Sequence, residues 1–232
     1  MTSIIKKIQL GQRINSISLR HTLPAVFVGS ENDEPIASSD LWMRDVELFR
    51  GKDYLIEAES GTGKSSMCSF IYGNRRDYRG SICFNGTDIS TLSISDWCYL
   101  RRRHIAYLPQ EMKLFAELTA FDNIEIKNRL TAHFTREEIQ KMMEYLEIDI
   151  KASTPASRLS VGQQQRVAII RALCQPFDFI LLDEPVSHLD RHNNLLAAKL
   201  ITECARRNEA SIITTSVGNP LLLENSAQSI HL

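Results

Sequence analysis

No run of apolar residues in this 232-residue chain approaches the roughly 20 needed to span a bilayer. The opening MTSIIKKIQLGQ has too short an apolar stretch for a secretory leader. A strong charge imbalance is also missing. The net charge is −1 at pH 7, without the excess of Lys and Arg that neutralises phosphates along a nucleic acid, so no nucleic-acid partner is expected. Cysteine is sparse and badly placed for crosslinks or zinc. Cys68, Cys83, Cys98, Cys174 and Cys204 make an odd total of five with no C-x-x-C pair, the usage of reduced cytosolic thiols. Internal repeats and low-complexity segments are absent. What remains is ordinary for a globular protein, 43% hydrophobic and 24% charged, and the length suits one large α/β domain or one domain carrying a subdomain.

Against that plain background the stretch LIEAESGTGKSS, Leu55 to Ser66, stands out. Leu55 and Ile56 end an apolar run, then come Ser60, Gly61, Thr62, Gly63, Lys64, Ser65 and Ser66, and a segment that reads as helix. The pattern approaches G-x-x-x-x-G-K-[ST], a phosphate-binding loop. Backbone N–H groups that turn inward around a phosphate need residues free to take positive φ, which Gly61 and Gly63 supply. The following helix adds unpaired amides and the positive end of its dipole. Lys64 is placed to reach the β- and γ-phosphates, and the Ser65 hydroxyl to ligate Mg²⁺. Ala58 holds the pattern's first position, which begins the turn and does not grip phosphate, so a small backbone cost is expected there. A Gly-rich strand-to-helix turn with a chance lysine is the bland alternative.

The rest of the chain alternates strand and helix. Residues 4–28 read as strand-like, through Ile14, Ile17, Leu19 and Val26-Phe27-Val28, and Ser30 to Pro35 as a loop. Val46, Leu48 and the Gly51-Lys52-Asp53 turn lead into the strand before the phosphate loop. Ser81 to Phe84 with Asn85-Gly86 signals a hairpin, and HIAYL, His104 to Leu108, a buried strand ending at Pro109-Gln110. From Glu111 to about Ile150 the pattern turns helical. Thr135 and Glu138 form a capping box, and Ile139, Met142, Met143 and Leu146 make one apolar face, read as core packing. Beyond Pro155 come a helix, the strand FDFILLDEP, a helix over about 191–208 and the strand SIITTS. Such alternation argues for a mostly parallel sheet, with 111–165 as an insertion. The cluster Arg101-Arg102-Arg103-His104 reads first as solvated surface before a buried strand, with a phosphate or lipid contact as the alternative.

The strand DFILLDEP ends in two acids. Ligand chemistry gathers at the carboxyl ends of parallel strands, so Asp183 and Glu184 face the crevice of Lys64. Asp183 can hold Mg²⁺ through water, and Glu184 can accept a proton from an attacking water.

At this point the chain strongly resembles the ATP-binding cassette (ABC) ATPases, over essentially its whole length. The phosphate loop EAESGTGKSS is followed by YLPQ with Gln110. Next comes LSVGQ, Leu159 to Gln163, in place of the family's LSGGQ. ILLDEP and the loop Ser187-His188-Leu189-Asp190 complete the order. The resemblance implies a P-loop NTPase core with a mostly parallel sheet, an N-terminal antiparallel β part and an inserted helical subdomain. One domain, 1–232, would comprise a catalytic core (1–110 and 166–232) and a helical segment (111–165) carrying the signature. It implies ATP and Mg²⁺ as cofactors, with Glu184, Lys64 and Gln110 catalytic and Ser65, Gln110 and Asp183 around the metal. Ser160 and Gly162 would contact the γ-phosphate bound to the opposite protomer, and Gln163 and Asp190 join the nucleotide-binding set. Adenine stacks on an aromatic upstream of the phosphate loop. Phe27 is the candidate, with a core phenylalanine as the alternative.

Two departures matter. Val161 replaces a signature glycine, so its side chain either crowds the nucleotide across the interface or points away. The family's switch histidine falls at Val217, with Thr215 and Ser216 beside it, and none of the six histidines lies there. Hydrolysis is therefore expected to be slow rather than lost. The phrase LFAELTAFDNIEI resembles the lipoprotein-release, macrolide-export and cell-division branch. The function implied is an ATPase subunit, cytoplasmic and peripheral at the inner face of the cell membrane. It would pair with a second cassette and drive a separate permease-type transmembrane subunit. A regulatory ATP clamp that signals to a membrane partner is the alternative. A soluble cassette acting on DNA or ribosomes lacks the coiled coil or second cassette such relatives carry.

Overall fold

The computed structural model describes residues 12–224 and 227–232. Residues 1–11, which hold most of the opening stretch and the start of the strand-like stretch from residue 4, lie outside the described residues.

The described residues fold into two sheets. The first is antiparallel, in the order β2-β1-β4-β5, from Ser16–Pro24 (β1), Asp45–Phe49 (β2), Tyr78–Phe84 (β4) and Thr87–Asp88 (β5). Asn85 and Gly86, both at positive φ, close the β4–β5 hairpin as Asn-Gly pairs do. The second sheet runs β6-β7-β8-β3-β9, from Tyr54–Glu57 (β3), Ile105–Leu108 (β6), Phe179–Asp183 (β7), Ser211–Ser216 (β8) and Gln228–His231 (β9). Every pairing within it is parallel. The antiparallel β part and the parallel core expected from the sequence are both present.

A parallel sheet is buried on both faces, and the alternation along each strand shows what covers each. Ile180, Leu182, Ala106, Leu108 and Ile212 enter one cluster, shared with helices Ala120–Asn128 (α3), Arg136–Tyr145 (α4), Val161–Leu173 (α5) and Arg191–Asn208 (α6). Phe179, Leu181, Ile105 and Ile213 enter the other, shared with helix Lys64–Ile71 (α1), helix Ile94–Arg103 (α2) and the antiparallel sheet. The apolar face of α4 is core, as its spacing implied: Ile139, Met142, Met143 and Leu146 are all buried. The capping box of Thr135 and Glu138 starts that helix. Among the described residues no helix is long and apolar enough to cross a membrane.

Three local expectations change. Val26-Phe27-Val28 is not strand: β1 ends at Pro24 and Ala25–Phe27 is a single 3-10 turn. The N–H of Ala25 bonds to Asp77 and that of Val28 back to Ala25, so the ladder ends there. The helix carrying the signature runs unbroken over 161–173, so a boundary between 165 and 166 falls inside one rigid rod. Of the arginine cluster, Arg102 and Arg103 are exposed, but Arg101 is packed. Its guanidinium lies over the rings of Tyr72 and Trp97, 4.9 and 5.2 Å from their centroids, and donates to the Tyr72 carbonyl. Stacking on two rings holds an arginine that sequence alone leaves in solvent.

Candidate nucleotide site

The crevice forms where β3, β7 and β6 deliver their carboxyl ends. After β3 the loop rises from Ala58 to Gly63 and enters α1 at Lys64. Gly61 and Gly63 sit at φ +87° and +99°, a region that carries a steric penalty for side chains. At Gly63 there is a second reason for glycine. A Cβ there would lie 3.0 Å from Trp42 Cζ2 and 3.3 Å from Phe27 Cε2, so two rings close on the loop from outside. Trp42 Nε1 also donates to the Thr62 carbonyl at 2.9 Å, and the Thr62 hydroxyl bonds the Glu59 carbonyl at 3.0 Å. Trp42 was not legible as part of this site, because a tryptophan 20 residues upstream carries no motif. Lys64 is 4% exposed, and its ammonium donates to the Ala58 and Glu59 carbonyls. Burial holds its pKa below the usual lysine value, opposed by the nearby Glu184 and Asp183 charges.

A cavity of about 210 Å³ is lined by Ser60, Gly61, Gly63, Lys64, Ser65, Ser66, Gln110 and Glu184. The cradle, the glutamine after β6 and the acid after β7, far apart in sequence, meet there. Gln110 Nε2 stands 3.4 Å from Glu184 Oε2. Phe27 is half-buried on the outer side of Gly63.

Asp183 lies beneath the cavity at 1% exposed. Burial raises its pKa, opposed by hydrogen bonds from the Ser65 and Thr215 hydroxyls. Thr215 Oγ1 donates to Asp183 Oδ1 at 2.8 Å and accepts the Glu184 N–H at 3.0 Å. Asp183 Oδ2 is buried without a protein partner. An orphaned carboxylate oxygen beside a serine hydroxyl fits a hard divalent cation completed by phosphate and water oxygens. Among the described residues no cluster of three or more His, Cys, Asp or Glu side chains is placed to hold a metal, and a magnesium ion bound in this way needs none.

Glu184 itself has φ +50°, uncommon for a non-glycine residue and strained by about 1 kcal/mol or more. Beyond it, Ser160 caps α5. Its hydroxyl accepts the Gln163 N–H, while Gln163 Oε1 accepts the Ser160 N–H. Val161 points outward at 47% exposed. Gly162 backs onto the His188 carbonyl, which would be 3.1 Å from a Cβ. Asp190 caps α6, both its oxygens taken by Asn193. Ser160, Gly162, Gln163 and Asp190 therefore stand apart from the cavity of their own chain. Val217 follows β8 and is 45% exposed, Ser216 is buried with its hydroxyl unpartnered, and the Thr215 hydroxyl is committed to the acids.

The sequence profile of the family described as ABC transporter matches residues 44–187, from before the phosphate loop to Ser187. The chain belongs to the ABC transporter family. It is 30% identical over 190 residues to the ABC transporter ATP-binding protein YtrE of Bacillus subtilis strain 168, covering 80% of each chain. It is 32% identical over 181 residues to the macrolide export ATP-binding/permease protein MacB of Shewanella sp. strain ANA-3, covering 75% of this chain. Its match spans only 27% of that MacB protein. Among solved structures, the dimeric MJ0796, a bacterial ABC transporter cassette, superposes with a TM-score of 0.69 at 25% identity, covering 86% of this chain and 87% of that one. The ABC cassette fold and the macrolide-export likeness expected from the sequence are thus both found.

Proposed function

We propose that this cassette binds and hydrolyses ATP in a pair with a second cassette, and drives a separate membrane subunit from the cytoplasmic face. The observation that carries the reading is the 210 Å³ cavity where the phosphate cradle, Gln110 and Glu184 converge. In that cavity Lys64 leaves the loop carbonyls for the β- and γ-phosphates, exchanging neutral partners for charged ones. The amides of residues 61–66 hold the phosphate oxygens. Ser65 and Asp183 hold Mg²⁺, which supplies charge neutralisation at the phosphates. Glu184 takes the proton of the attacking water, and Phe27 carries the adenine ring. Ser160, Gly162 and Gln163 of one copy close on the nucleotide of the other, with Asp190 behind them. Residues 1–110 and 166–232 supply the catalytic core, and 111–165 is the helical segment that carries the signature, continuous with the core through α5.

The loop after Gln110 borders a groove of about 580 Å³ lined by Tyr72, Tyr107, Phe115, Ile126 and Leu130 among others. A groove walled by the Gln110 loop on one side and α3 on the other suits a permease-type subunit that must feel the γ-phosphate. MacB joins ATP-binding and permease parts in its name, and the dimeric MJ0796 cassette supports the pairing.

With no histidine at Val217, turnover falls below the roughly 1–10³ per second of ordinary enzymes. Replacing Glu184 by Gln lowers it a further 10²–10⁴-fold while ATP still binds. Steady-state ATPase assays of the two proteins with their partner test this. A parent rate within the ordinary range, or an unchanged Glu184→Gln rate, overturns it. Val217 also favours a second reading, a regulatory clamp that signals without turnover. That reading wins if Glu184→Gln protein, trapped with ATP, supports the biological output.

A further inference from the structure

The left-handed backbone of Glu184 needs something to hold it. One side is held by Thr215, whose hydroxyl accepts the Glu184 N–H. The other side is held from a different part of the molecule. Gln165 on α5 donates from Nε2 to the Glu184 carbonyl at 3.1 Å and to the Ser187 hydroxyl at 3.3 Å. Its Oε1 accepts the His188 N–H at 3.0 Å. The residue is 2% exposed, so these bonds have no competition from water. One side-chain amide thus fixes both ends of the turn from 184 to 188.

The placement of Gln165 gives the contact its meaning. It lies in the second turn of the same helix that Ser160 begins, and the capping box and the contact of Gly162 with the His188 carbonyl make that end rigid. The signature and the acid turn therefore move as one body. We propose that Gln165 is the positioning residue for Glu184 in ATP hydrolysis. It sets where the carboxylate stands over the cradle and ties that position to the signature helix. Any tilt of α5 as Ser160 and Gly162 close on a mate's nucleotide is then felt at the carboxylate of their own chain. The inference rests on Glu184 being the proton acceptor, as proposed above. Gln165 touches neither nucleotide nor water itself.

Three variants of the full chain with its partner test it: Gln165→Glu, Gln165→Met and Glu184→Gln. Glutamate keeps the shape and the acceptor toward His188 but sets an oxygen against the Glu184 carbonyl. Methionine keeps the volume and removes every bond. ATP affinity, kcat and thermal midpoint are measured for each. The expected result is a kcat lowered about 10- to 100-fold in both Gln165 variants, the scale of an ångström-sized misplacement. ATP affinity stays within about twofold of the parent, because the cradle is untouched. A kcat within about threefold of the parent in Gln165→Met overturns the proposal. So does a kcat loss matched by an equal loss of ATP affinity and a collapsed midpoint in both, which is the mark of a purely structural residue. Glu184→Gln separates the two levels. If its turnover equals the parent's, the assignment of Glu184 fails, whatever Gln165 does.

Discussion

Two helices frame the nucleotide chemistry, and they begin in opposite ways. α5 starts at Ser160 with a reciprocal capping box that occupies two backbone N–H groups. α1 starts at Gly63 in the left-handed region with no side-chain cap at all. Among the described α-helices, α1 alone lacks one; Ser93, Thr119, Thr135, Ser160 and Asp190 cap the others. An uncapped helix start leaves orphan amides and the positive end of the dipole unanswered. Evolution tolerates that where a ligand supplies the answer. The difference assigns a division of labour. The cradle's amides have no side-chain cap, as a phosphate site requires. The signature end is complete by itself, and in the proposed function it adds a second grip through the Ser160 hydroxyl proton and the outer amides.

Substitutions at each end sharpen that contrast. The largest effect falls at Gly63. Alanine there meets Trp42 and Phe27 and takes on the left-handed strain, so a stability loss of about 2 kcal/mol and loss of ATP binding are expected in thermal melts and equilibrium titration. Ser160→Ala acts at the other end. It costs about 1 kcal/mol of stability, leaves ATP affinity of the single cassette unchanged and weakens ATP-dependent pairing, which sedimentation reads. If Ser160→Ala weakens ATP binding by the isolated chain, the division of labour is wrong. Phe27→Ala probes the outer wall, with ATP affinity falling about fivefold and that of inorganic triphosphate unchanged.

The smallest effect concerns the stability given up for the site. The folded-state pKa of Asp183 is raised by burial, so near neutrality its charged form is carried at a penalty that the unfolded chain does not bear. Asp183→Asn removes the charge and still accepts the Thr215 hydroxyl. It should raise stability at pH 7. The advantage shrinks as pH falls through the raised pKa, because the aspartate then becomes neutral as well. Denaturation at pH 7 and pH 4 checks the sign.

Elements with strong local signals are legible in the sequence. The limits of α6, Arg191–Asn208, and of β8, Ser211–Ser216, match what the periodicity and the flanking residues imply. The box of Thr135 and Glu138 announced α4, and ILLDEP announced β7 with its terminal acid. The residues that needed the structure act through distant partners. α2 begins with a capping box of Ser93 and Asp96 and buries only Trp97 and Leu100, too few apolar positions to mark a helical face. β9 is a short edge strand whose Ile230 is buried beside β3, a signal too brief to separate from loop. Val26-Phe27-Val28 has strand composition, yet the turn closed by the Val28 N–H on the Ala25 carbonyl ends the ladder. Trp42 and Gln165 act by packing against and bonding main chain far away in sequence, and no spacing rule encodes that. The cradle and acids were legible because phosphate dictates residue types at fixed offsets. Their supports were not, because many side chains can hold a backbone.

The most direct test of the account is ATP affinity after Lys64→Ala, measured by equilibrium titration of the purified chain with Mg²⁺. Lys64 brings the one full positive charge of the cavity lining, and charge-assisted bonds to phosphate are the strong ones. The account predicts a loss of about 100-fold, together with loss of ATP-dependent pairing. An affinity and pairing equal to the parent's would contradict it.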